Sequence, residues 1–289
     1  MEIGVRIPHT GSQASPDFVR EWCTTADVAG YGIVWGIDHL VMPQKVESKY
    51  VLPRKPATIV DDAVSQQLSP NFEMMTTLAY VAGITERVRL GTAISVLTIR
   101  NAVLNARQLA TVDRYSNGRL VYGVGIGWLK EEADAMNMPW DRRGARSDEH
   151  IALLRALWTA EGKHVEFHGE FWDIPPMDPE PRPVQRPIPI LVGGHSEPAM
   201  DRAARLGDGW IGGDMTAERL EGMLPALREA CARHDRCLDS LDVYAQLRGE
   251  ITLDEVKRFE ELGARSLQVP IRDLDELKRF ADEFLPALG

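Results

Sequence analysis

Short apolar runs and amphipathic stretches alternate along the chain from end to end. Runs rich in Val, Ile and Leu lie at about 2–8 (EIGVRIP), 33–37 (IVWGI), 88–94 (VRLGTAI), 120–124 (LVYGV), 188–192 (IPILV), 209–212 (GWIG), 243–247 (VYAQL) and 266–270 (SLQVP). Near-continuous apolar character marks strands covered on both faces, as in parallel sheets. The segments between them carry helix signals. Ser15-Pro16 reads as an N-cap followed by Pro at the first helical position. Thr252 and Glu255 form a capping box, which Asp273 and Glu276 imitate. Ile151, Leu154 and Trp158 share one helical face, as do Leu274, Leu277, Phe280 and Phe284. Eight strands in strict alternation with helices predict an α/β fold, a closed (β/α)8 TIM barrel. A doubly wound open sheet is the alternative, but its G-x-G-x-x-G fingerprint is missing after the first strand.

Two stretches exceed a minimal barrel. Residues 40–70, with Pro43, Pro53, Pro56 and Pro70, are too long for an ordinary βα loop, so an insertion is expected after strand 2, rising from the catalytic face. Residues 162–187 hold HVEFHGEFWDI, which alternates like a small hairpin, and then the Pro-rich PPMDPEPRPVQRP. This second insertion falls between helix 4 and strand 5. Barrels of this size stay whole, so residues 1–289 are expected to form one domain.

Composition narrows the function. The chain has 289 residues, 44% of them hydrophobic, and a net charge of −10 with scattered Lys and Arg. No basic face argues for nucleic acid or an anionic membrane surface. No apolar run approaches the roughly 18 residues that a membrane helix needs. Cys23, Cys231 and Cys237 lack metal-site spacing, which suits a reducing cytoplasm and no metal centre.

Candidate chemistry gathers at the carboxyl ends of the strands, where barrels place their active sites. Asp38-His39 closes strand 2; His39 can give or take a proton near neutral pH, and the plain alternative is a capping Asp beside a space-filling His. Gly125 and Gly127 end strand 4, where bare backbone lets a planar ligand come close or simply turns a barrel corner. Val192-Gly193-Gly194-His195-Ser196 joins a buried strand to a helix start. Its free amides and positive helix end read as a phosphate cradle, or else as a tight turn with an ordinary cap. The glycines follow strands 4 and 5 rather than 7 and 8, so a cofactor is expected across that half.

Several of these segments, in this order, resemble the luciferase-like monooxygenase superfamily. They are IDHLVMP after strand 2, TERVRLGTAISVLTIRNAV at strand 3, SNGRLVYGVGIGWLKEE at strand 4, DRRGARSDEHIALLRALW, PVQRPIPILVGGHSEPAM at strand 5 and RAARLGDGWIG at strand 6. The resemblance spans roughly residues 2 to 215. Within the superfamily the D-H-L and G-W-L-K-E-E segments look most like the branch using the deazaflavin coenzyme F420, and the FMN branch shares the same barrel. The resemblance implies that Asp38 and His39 sit beside the cofactor ring. A non-proline cis bond between Ala93 and Ile94 would back the ring. Gly125, Gly127 and Glu131 would lie against the cofactor, and Gly193, Gly194, His195 and Ser196 would bind its phosphate. Apolar walls are usual for small-molecule sites, so Trp35, Met42, Tyr50 and Trp128 are expected to line a substrate pocket, with simple core packing the alternative for each aromatic. Many relatives carry an acidic residue where Trp128 or Lys130 stands here, which argues against a sugar-phosphate substrate. The implied activity is hydride transfer between F420 and a small organic substrate in a cytoplasmic homodimer, with His39 handling the proton. The alternatives are an FMN-dependent monooxygenase and a non-catalytic flavin-binding barrel.

Overall fold

The computed structural model describes residues 1–43, 45–48 and 69–288. Strands β1 (Glu2–Arg6), β2 (Ile33–Gly36), β3 (Arg89–Thr92), β5 (Leu120–Gly125), β8 (Ile190–Gly193), β9 (Gly209–Met215), β10 (Asp242–Leu247) and β11 (Ala264–Val269) run parallel in the order β3-β2-β1-β11-β10-β9-β8-β5. Leu90 and Gly91 of β3 pair with Leu120 and Val121 of β5, which closes the ring. The short β4 (Ser95–Val96) extends β3 along β5 after an interruption. All eight apolar runs are strands, and the barrel is closed as the alternation required.

The jacket consists of α1 (Pro16–Ala29), α2 (Met74–Ile84), α3 (Ala102–Tyr115), α4 (Lys130–Ala135), α5 (Arg143–Thr159), α6 (Glu197–Leu206), α7 (Ala217–Ala232), α8 (Leu253–Glu261) and α9 (Leu274–Glu283). The expected caps are in place. Ser15 Oγ accepts from Phe18 N at 3.1 Å, Thr252 Oγ1 from Glu255 N at 3.2 Å and Asp273 Oδ1 from Glu276 N at 2.8 Å. Ile151, Leu154 and Trp158 are buried against the barrel, as are Leu277 and Phe280.

Inside the ring, Ile33, Trp35, Val121, Leu191, Ile211 and Tyr244 pack into one cluster. Trp35, 1% exposed, fills the centre, and a Cβ at Gly91 would lie 2.3 Å from its ring, so only glycine fits there. The insertion between α5 and β8 begins with the expected hairpin, β6 (Val165–His168) antiparallel to β7 (Asp173–Met177). Its Pro-rich continuation is pinned by the buried Asp113, whose carboxylate accepts from Val184 N, Gln185 N and Gln185 Nε2.

Candidate active site

The mouth of the barrel is built around the junction of β2, β3 and β5. Asp38 follows β2 and is 3% exposed. Its carboxylate takes a two-pronged contact from Arg100, Nη2 to Oδ1 at 2.6 Å and Nε to Oδ2 at 2.8 Å, and also accepts from Val96 N at 2.9 Å and Ser95 Oγ at 3.2 Å. Burial alone would lower the Arg100 pKa, but the Asp38 carboxylate and Glu73 outweigh it and raise it, so the guanidinium stays charged. Asp38 therefore ties the end of β2 to β4, which begins directly after the Ala93–Ile94 bond. That bond is cis, as the resemblance implied.

His39 lies beside this clamp with its Nδ1 3.0 Å from Glu132 Oε2. Glu132, on α4 and 1% exposed, accepts Nδ1–H through one oxygen and Leu40 N (2.6 Å) and Val41 N (3.1 Å) through the other. The imidazole is thereby oriented with Nε2 left over, and that atom has no partner among the described residues. Asn71 Nδ2 donates to the His39 carbonyl. Buried His9, after β1, braces the same region: its Nδ1–H donates to Phe72 O at 2.8 Å, and its Nε2 accepts from Ile37 N at 3.1 Å. Burial lowers its pKa, with Arg6 nearby acting in the same sense, so it stays neutral in this role.

Met42 and Trp128 join Val46 and Leu129 in a small apolar group, and the Trp128 ring meets His39 edge to face at 6.3 Å. Of the expected pocket residues, Trp128 therefore meets His39, and Met42 packs in the same apolar group as Trp128. Trp35 does not join them; the barrel's centre needed a large filler, and its ring is spent there. Tyr50 lies outside the described residues, as does most of the 40–70 insertion.

Two further expectations change in the structure. The inner face at Gly125 and Gly193 is occupied by Ile94: a Cβ at Gly125 would fall 2.0 Å from Ile94 Cδ1, and one at Gly193 would fall 3.0 Å from Ile94 Cγ2. These glycines thus seat a side chain from β3's extension rather than standing bare. Gly127, at φ +73, turns beside Val96 and Thr98. Glu131 is engaged by the loop after β2, accepting from Glu47 N (2.5 Å), Ser48 N (2.9 Å) and Ser48 Oγ (2.6 Å). Burial would raise its pKa, but these hydrogen bonds bring it down to about 2. The neighbouring Glu132, not Glu131, holds the histidine.

The Gly193–Ser196 turn precedes α6. Gly194 has φ +125, and Trp210 Nε1 donates to its carbonyl at 2.8 Å. Ser196 is the N-cap, yet its side chain makes no capping hydrogen bond. His195 Nδ1 accepts from Arg219 Nη2 at 3.2 Å, and its buried Nε2 has no described partner. Burial, and then Arg219, lower the His195 pKa, so a proton sits on Nε2 rather than on both nitrogens. Unused amide and hydroxyl donors, an orphaned ring N–H and a helix start suit an anion. Arg219 was not nominated from the sequence, because nothing local couples it to a loop 24 residues away.

Residues 1–255 match the luciferase-like monooxygenase model. The chain belongs to this family. An uncharacterized protein of Mycobacterium tuberculosis is 34% identical over 271 residues, covering 93% of this chain and 90% of the relative. The F420-dependent glucose-6-phosphate dehydrogenase of Beutenbergia cavernae is 34% identical over 218 residues, 71% of this chain and 64% of the relative. The FMNH(2)-dependent dimethylsulfone monooxygenase of Pseudomonas putida is 36% identical over 133 residues, 45% of this chain and 36% of the relative. The fold is that of an F420-dependent secondary alcohol dehydrogenase solved with an F420-acetone adduct, with a TM-score of 0.78, 16% identity and coverage of 100% and 99% of the two chains. Among the described residues no helix is long and apolar enough to cross a membrane, and no group of His, Cys, Asp and Glu is placed to hold a metal.

Proposed function

We propose that this luciferase-like barrel is an oxidoreductase that moves a hydride between coenzyme F420 and a small organic substrate at the barrel mouth. The observation that carries the reading is His39 at the end of β2, oriented by a buried Glu132, with an Nε2 that has no partner among the described residues. The resemblance of the D-H-L and G-W-L-K-E-E segments to the deazaflavin branch, and the B. cavernae relative, support F420 over FMN. The donor set fits the cofactor's phosphate: Gly193 to Ser196 and the His195 N–H would hold it, and Ile94 would lie under the ring. A deazaflavin supplies a two-electron hydride donor or acceptor that reacts poorly with oxygen. His39 Nε2 gives or takes the accompanying proton at the substrate oxygen, so that a carbonyl gains a hydride and a proton or an alcohol loses both. Asp38 acts through Arg100 and the β4 backbone, holding the platform rather than meeting the reactants. Met42 and Trp128 wall the site near His39 and shed water from it.

Fluorescence titration of the full chain tests the cofactor. F420 should bind at least about tenfold more tightly than FMN, a difference of about 1.4 kcal/mol. FMN binding as tight as F420 or tighter would replace this reading with the flavin monooxygenase.

A further inference from the structure

Side chains alternate between the inside and outside of a barrel strand, so one inward residue fixes the next but one. Gly4 of β1 faces inward, since a Cβ there would meet Trp35. Arg6 therefore faces inward one layer higher, at the carboxyl end. Tyr244 of β10 belongs to the interior cluster, which places Gln246 in the same upper layer. Gln268 of β11 pairs in register with both Gly4 and Gln246, and Gln246 Nε2 donates to Gln268 Oε1 at 3.1 Å. Because β1, β11 and β10 are neighbours, Arg6, Gln268 and Gln246 share one sector of the mouth. In the closed ring β8 lies opposite β1, with Gly193 and Ile94 on that side.

The charge of Arg6 is the anomaly in this sector. Its Nη2 donates to Thr10 Oγ1 at 2.5 Å, and it makes no ion pair among the described residues. Burial depresses its pKa with no opposing charge beside it among the described residues. Of the titratable groups nearest in sequence, His9 in the loop after β1 is neutral with both nitrogens engaged, and Glu2 at the start of β1 pairs with Arg89. Arg100, Arg89 and Arg248 are neutralised by Asp38, Glu2 and Asp214, and Arg119, which has no ion pair among the described residues, is held instead by the carbonyls of Ser116, Val88, Ala82 and Thr85. In a chain with 43 acidic and 33 basic residues, a half-buried arginine with neither a carboxylate nor a set of carbonyls around it among the described residues is conspicuous, because desolvating an unpaired charge is costly. An external anion would offset that cost. One guanidinium beside two neutral amides matches a single negative charge, and its fork suits a carboxylate. Gln268 keeps its amide protons for the same guest, since its oxygen already accepts from Gln246.

We propose that Arg6, with Gln268 and Gln246 next to it along the ring, anchors the carboxylate of a small monoanionic substrate at the β1–β11–β10 side of the mouth, facing the Ile94 side across it. This rests on the oxidoreductase reading in one respect, that the bound anion is the substrate.

Isothermal titration of the full chain tests it, with and without saturating F420, using acetate, butyrate and benzoate, each paired with its amide. At least one carboxylate should bind about tenfold or more tightly than its amide. Arg6→Gln should abolish that preference, Arg6→Lys should retain part of it, and Gln268→Leu, which leaves Arg6 in place, should weaken the carboxylate by about threefold or more. No preference in the unmodified protein, a preference that survives Arg6→Gln, or carboxylate affinity untouched by Gln268→Leu would each overturn the proposal. Inorganic phosphate outbinding every carboxylate in an Arg6-dependent way would overturn the monoanion class. Loss of F420 affinity in Arg6→Gln without any carboxylate preference in the unmodified protein would assign Arg6 to the cofactor and also overturn it. If the unmodified protein binds neither F420 nor FMN, the oxidoreductase reading falls, and the carboxylate preference is still decided by the cofactor-free titrations.

Discussion

At the scale of single residues, His39 and Glu132 form a unit that the sequence half disclosed. A histidine at the end of a barrel strand is a visible candidate, because strand ends at that face carry the chemistry. Its partner is 93 residues away, and nothing in the K-E-E run tells Glu132 from Glu131; only the helical turn of α4 aims one carboxylate at the imidazole and the other at Ser48. Arg100 was equally hidden, since it meets Asp38 across 62 residues. The proposed function gives His39 a kinetic role. His39→Ala should leave F420 affinity nearly unchanged and lower turnover by about a hundredfold, the usual loss when a general acid–base is removed. Single-turnover kinetics would separate the two effects. Turnover equal to that of the unmodified enzyme would remove His39 from the mechanism.

At the scale of elements, the glycines closing β5 and β8 show where a one-dimensional pattern stops. Their positions are legible, and a close approach to the backbone is the right inference from them. What approaches is not legible, because the occupant is Ile94, delivered from β3's extension by closure of the barrel. This arrangement makes a double-mutant prediction. Gly125→Ala would put a methyl 2.0 Å from Ile94 Cδ1 and should cost about 1–3 kcal/mol of stability through overpacking. Ile94→Val removes that δ1 carbon, so in its background the same glycine substitution should cost less than about half as much. Urea denaturation of the four proteins measures the coupling, and equal costs in both backgrounds would mean that Ile94 does not set the space above β5. The Gly193–Ser196 turn behaves differently. Its φ of +125 at Gly194 would strain any side chain there, so substitution at that position would confound folding with binding.

At the scale of the whole molecule, the barrel was legible because eight buried strands leave eight apolar runs, whereas the polar wiring between its layers left none. A chain of polar groups joins the site to the jacket. Ser95 Oγ donates to Asp38, the Tyr122 hydroxyl lies 3.0 Å from Ser95 Oγ and 2.7 Å from Asn105 Oδ1, and His150 Nε2–H donates to that same oxygen at 3.1 Å. His150, on α5, is 1% exposed and meets Trp172 of β7's approach edge to face at 5.4 Å. Burial first, then Arg100 and Arg146, push its pKa down to about 3 from an ordinary 6.5. Between those values the unfolded chain binds a proton at this residue and the folded chain does not. Stability from the neutral form is therefore fully present above about pH 6.5 and is lost as pH falls toward about 3. One such site contributes a slope of at most about 1.4 kcal/mol per pH unit. His150→Gln can still donate to Asn105 but does not titrate, so whatever its stability at pH 7, its unfolding free energy should fall less steeply between about pH 6.5 and 4.5 than that of the unmodified protein. Chemical denaturation at several pH values gives the two slopes. Carboxylates shared by both proteins contribute equally to each and cancel in the comparison. Identical slopes would show that His150 takes up its proton as readily in the folded barrel as in the unfolded chain, and that this polar chain opens to water at mild acidity.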